Sequence, residues 1–138
     1  MKVHADRAED RGGLALTRLG AIVVAVEGAR VTAFFEANER EADCDLAEIL
    51  GVPAPASSAI RLLELAHSGG TVILAVRGRI RMTSGERRPR YERPALVAGI
   101  FRQACLRGVM RHESELVYLL DVEEIAARVR RAQEGRTA

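Results

Sequence analysis

The side chains able to do chemistry are few and scattered. His4, His67 and His112, with Cys44 and Cys105, are the soft metal ligands of the chain, and no two of them stand at the spacing of a zinc or other metal set. His67 precedes a Ser-Gly-Gly turn and His112 falls in a second polar turn, where an imidazole is ordinarily solvated. Ser57 and Ser58 lack the Gly-x-Ser-x-Gly frame of a nucleophile elbow. Gly12-Gly13 and Gly69-Gly70 lack the Lys and following helix of a phosphate cradle. The expectation is no catalytic residue, no metal and no cofactor.

Two carboxylates have a structural use instead. Asp121 followed by Glu124, and Asp45 followed by Glu48, have the spacing of a capping box. In that motif the Asp accepts from a first-turn N–H and the Glu reaches back to the Asp N–H. Each pair predicts the exit from a strand into a helix.

Charge gathers in one place. Arg77, Arg79, Arg81, Arg87, Arg88, Arg90 and Arg93 stand against only Glu86 and Glu92. Such a run could track a phosphate backbone with Tyr91 as a stacking platform. It could equally be a solvated edge strand guarded by charge, or a docking surface for an acidic protein. The chain holds twenty Arg and a single Lys, a skew that reduces the weight of any one arginine.

The elements that must position these residues follow from composition and pattern. At 138 residues, 48% apolar and 29% charged, the chain suits one compact domain or two intimate halves. No apolar run nears the ~20 residues of a membrane span. The charged start shows no secretory pattern, so the cytoplasm and reduced thiols are expected, with no direct membrane insertion. Residues 1–13 read as a flexible leader, 14–52 as a first subdomain, 53–58 as a Pro- and Ser-rich linker, and 59–138 as a second subdomain with a terminal helix.

Within that frame, Leu14 to Gly20 and Ala21 to Val26 read as opening strands. Ala33-Phe34-Phe35 could end a strand or begin a helical turn. Leu46 to Leu50 reads as a short helix stopped by Gly51 and Pro53. Ile60 to His67 and Thr71 to Val76 form a strand pair, Arg79 to Thr83 an edge strand, and Ser84 to Pro94 a loop. Val122, Ile125, Ala126 and Val129 make one helical stripe, with a stop at Gly135. Ile22 to Val26 is apolar at every position, so one face of that strand needs a cover from within the chain or from a partner.

The order of Ile60–His67, Thr71–Val76, Val97-Ala98-Gly99-Ile100, Leu106-Arg107-Gly108-Val109 and Leu119-Leu120-Asp121-Val122 resembles the CheW-like domain of bacterial chemotaxis. The opening strands and Asp45–Gly51 are similar to its first half. Between Phe35 and Asp45 the chain departs from the family, which usually has a Gly and a Leu-Arg-Gly segment before an apolar strand. The resemblance implies a mainly β fold of two packed, small, SH3-like five-stranded barrels, the first abbreviated, with a C-terminal α-helix. It also implies a non-enzymatic adaptor joining the cytoplasmic tip of methyl-accepting chemoreceptors to the regulatory domain of a CheA-type histidine kinase. In that family the receptor approaches the groove between the barrels and the kinase meets barrel ends. The implied partner-binding residues are Glu27 and Arg30, flanking the Gly28 turn, and Arg107 in a Leu-Arg-Gly turn. The competing expectation is a nucleic-acid-binding small barrel using the Arg77 to Arg93 surface.

Overall fold

The computed structural model describes residues 13–53, 59–83, 90–91 and 105–137. The expected leader, most of the linker, the Val97–Ile100 run and most of the Arg-rich loop lie outside the described residues. The rest is mainly β, in two sheets with one long C-terminal helix.

Chain order is β1 (Leu14–Leu19), β2 (Ile22–Glu27), a 3-10 turn (Gly28–Arg30), β3 (Val31–Glu36), β4 (Cys44–Asp45), α1 (Leu46–Leu50), β5 (Ile60–His67) and β6 (Gly70–Arg77). There follow β7 (Ile80–Met82), β8 (Arg90–Tyr91), β9 (Leu106–His112), β10 (Glu115–Leu120) and α2 (Val122–Thr137). One sheet runs β7-β1-β2-β10-β9-β8 and the other β3-β5-β6-β4, six and four strands among the described residues. Each draws strands from both sides of residues 53–58. The physical reason is pairing: β10 lies parallel to β2, with Val117 opposite Val23 and Leu119 opposite Ala25.

That interior position explains the all-apolar β2. Val24 and Val26, with Tyr118 and Leu120 of β10, join Leu63, Leu65, Val72, Leu74 and Val76 of the four-stranded sheet and Val122, Ile125 and Val129 of α2 in the main core. The alternate residues Val23, Ala25, Val117 and Leu119 build a second core with Leu14, Leu16 and Met110. Period-2 alternation sends neighbours to opposite faces, and here both faces are buried. The cover for β2 therefore comes from within the chain.

Local chemistry sets the ends. Asp45 caps α1 by accepting from the Ala47 N–H at 3.0 Å. Gly51, at φ 79°, closes α1 with the Gly51 N–H on the Glu48 carbonyl (3.1 Å) and the Val52 N–H on the Ala47 carbonyl (3.0 Å). These are the two bonds of a Schellman ending, whose left-handed residue is best a glycine. Asp121 caps α2 through the Glu124 N–H at 3.1 Å. The reciprocal half of that box is not made. The Asp121 N–H goes to the Cys105 carbonyl at 2.7 Å, and Glu124 turns along the helix to Arg128 at 3.0 Å. The helix also runs through Gly135 to Thr137, past the expected stop.

Two further expectations are corrected. Leu106-Arg107-Gly108 begins β9 and is not a turn. Leu119 pairs with Gly108 and Leu120 with Leu106, so Arg107 is the extra residue of a β-bulge. His112 is not in the turn but ends β9, 8% exposed, and the turn residues are Glu113 and Ser114 at φ 50° and 66°.

Candidate docking surfaces

Bulged residues re-aim side chains, and Arg107 illustrates it: its Nη1 donates to Glu27 Oε1 at 2.7 Å, joining β9 to the end of β2. The pair is solvent-facing, with Arg107 half exposed. Arg30 is elsewhere. From the 3-10 turn its Nη1 donates to Glu123 Oε2 at 2.7 Å and to the Ala66 carbonyl at 3.2 Å. Glu123 also accepts from the Ser68 N–H at 2.9 Å and the Ser68 hydroxyl at 2.7 Å. These donors, Arg30 before Ser68, hold the Glu123 carboxyl down from 4.5 to about 2. The structure thus brings Glu27 and Arg107 together and gives Arg30 a separate clasp between the β5–β6 turn and the start of α2.

Glu123 is an acidic residue in the first turn of α2, and Asp43 makes a second bracket that no local pattern announces. The Asp43 N–H donates to the Ile73 carbonyl at 2.7 Å and its Oδ2 accepts from the Ile73 N–H at 2.8 Å. Its Oδ1 accepts from Gln133 at 3.0 Å, tying the far end of α2 to β6. The segment that departs from the family pattern therefore yields a turn, this bracket and the two-residue β4.

Among the described residues none of the candidate reactive groups converges. Cys44 and Cys105 are buried and outside any disulfide, and His67 Nδ1 accepts from the Gly69 N–H at 3.1 Å. Among the described residues no three His, Cys, Asp or Glu side chains are grouped to hold a metal.

The basic surface divides at Gly78, where φ of 115° turns the chain from β6 into β7 and so from one sheet to the other. Arg77 is engaged, its Nε donating to Asp45 Oδ2 at 3.0 Å. Arg79, just before β7, and Arg81 within it are exposed. Two open clefts border β7, and Arg79 and Arg81 line both: one of about 1060 Å³ reaches Phe34, Phe35, Glu36 and Glu39, and one of about 550 Å³ reaches Leu16 and Arg18. No helix is long and apolar enough to cross a membrane among the described residues.

No family model matches the sequence, and no curated protein matches it. The structure is similar to the scaffolding protein TtCheW from Thermoanaerobacter tengcongensis, with a TM-score of 0.66 at 10% identity, covering 83% of this chain and 92% of that one. Likeness at that identity establishes the fold, a divergent CheW-like one.

Proposed function

We propose, from this CheW-like fold, that the chain is a non-enzymatic adaptor of a bacterial chemosensory system. It would work in the cytoplasm, joining a chemoreceptor tip to the regulatory domain of a CheA-type histidine kinase. The observation that carries the reading is the extent of the structural match, which takes in nearly all of a protein described as a scaffold. An adaptor of this kind acts by geometry: a rigid body with two docking faces passes receptor state to the kinase. Rigidity is supplied by a main core shared by both sheets and α2, so that displacement of one sheet is felt by the other.

Within that reading Glu27 and Arg107 form one partner-facing charge pair and Arg30 a second contact beside the Gly28 turn. Exposed interface charges steer encounter and fix register more than they add affinity. The test exchanges the pair, Glu27→Lys with Arg107→Glu, which keeps an intramolecular bridge while inverting the surface. Association with the kinase regulatory domain should weaken with melting unchanged. Unaltered affinity would remove both residues from the interface. The nucleic-acid reading is less favoured, since Arg77, the first arginine of that run, is committed to Asp45.

A further inference from the structure

β7 is a three-residue strand at the end of its sheet, bonded to β1 on one side. Register decides which backbone groups it leaves over. The Thr83 N–H donates to the Leu14 carbonyl at 2.8 Å, and the Arg79 carbonyl accepts from the Thr17 hydroxyl at 2.8 Å. Arg81, opposite Leu16, shares that parity and faces β1. Bonding alternates along an antiparallel strand, so the N–H and C=O groups of Ile80 and Met82 point away from β1, to an edge that no described strand pairs. Unpaired edge groups of this kind are a template for an added strand.

Basic and apolar side chains alternate along this edge, Arg79, Ile80, Arg81 and Met82. Ile80 packs on the main core and Met82 is 44% exposed, and both line the cleft that holds Phe34, Phe35 and Ile60. Arg79 and Arg81 border this cleft, beside Glu36 and Glu39, as well as the cleft along Leu16 and Arg18, and they have no carboxylate partner among the described residues. Two residues along a strand they stand about 7 Å apart, the spacing of alternate side chains on a facing strand.

We propose that the β7 edge binds an extended segment of a partner protein in which acidic and apolar residues alternate. Its backbone pairs with Ile80 and Met82, its carboxylates meet Arg79 and Arg81, and its apolar side chains lie over the Phe34, Phe35 and Ile60 cleft. Charge selects this occupant over a second copy of the chain. Antiparallel self-pairing would set these arginines against one another, and like charges directly opposite are destabilising. The proposal stands on the edge itself and does not depend on the adaptor reading.

The probe is a short fluorescein-labelled peptide of alternating Val and Glu, followed by anisotropy and by amide exchange of the full chain. Binding should be saturable, and exchange at Ile80 and Met82 should slow. Arg79→Glu with Arg81→Glu should weaken binding by at least about tenfold, as like charges across an interface do, and create binding to the matching Val and Lys peptide. The gain with the reversed peptide shows that the variant is folded. Met82→Pro should also weaken binding, because it removes an outward N–H that β1 does not use. Failure of the wild type to bind, equal affinity in the reversed variant, or protection elsewhere than β7 would overturn the proposal. So would binding of an oligothymidylate in place of the peptide.

Discussion

Arg30 and Glu123 meet at 2.7 Å across 93 positions of sequence, and with the Ser68 bonds to the same carboxylate this contact holds together the turn after β2, the β5–β6 turn and the first turn of α2. Glu123 serves three donors at once, and that is why its carboxyl stays ionised so far into acid.

Acid stability should record this contact. The folded carboxyl titrates near 2 against an ordinary 4.5, so the contribution is fully present above about 4.5 and is lost as pH falls through about 2. Glu123→Gln should lower the melting temperature at neutral pH and flatten its fall between those limits. Wild type and variant with the same acid profile would show that the clasp adds nothing to folding.

The two caps should differ in weight. Asp121→Ala is expected to cost about 1 kcal/mol, the usual value of an N-cap. Asp45→Ala should cost more, because Asp45 Oδ1 caps α1 while Oδ2 takes the Arg77 guanidinium. Chemical denaturation of both variants measures the order, and the reverse order would contradict the double role.

These caps also mark how far the sequence could be read. Asp45, α1, Gly51 and the strand Ile60–His67 were legible because each is decided by neighbours a few residues away. Glu27, Arg30 and Arg107 could be singled out, but not the contact of Glu27 with Arg107, which spans 80 positions and depends on a bulge that no local pattern announces. The interleaving of the sheets was hidden for the same reason, since β2 and β10 find each other only through pairing. His112 looked solvated beside polar Glu113 and Ser114, yet strand alternation puts it inward.

The β9–β10 turn can be improved. Glu113 and Ser114 both hold positive φ, which L-residues other than Asn and Asp adopt at a cost. Glu113→Asn with Ser114→Gly should stabilise the protein by about 1 kcal/mol, as those residues suit a two-residue turn of this hand. A melting temperature unchanged or lowered would mean the turn is not strained.

Helix docking should carry much of the stability. Ile125 is fully buried between α2 and the sheets, so Ile125→Ala is expected to cost about 2–5 kcal/mol through lost transfer energy and the cavity left behind. Denaturant titration gives the value, and a cost below 1 kcal/mol, the size of a surface change, would place α2 outside the cooperative core.

The adaptor reading is tested most directly by mixing the purified chain with the regulatory domain of a CheA-type histidine kinase and with a chemoreceptor cytoplasmic fragment from the same genome, and following complex formation by sedimentation. The expected result is binding to each alone and a ternary complex when all three are present. Binding to neither, together with association to single-stranded DNA that collapses between low and moderate salt, would contradict it.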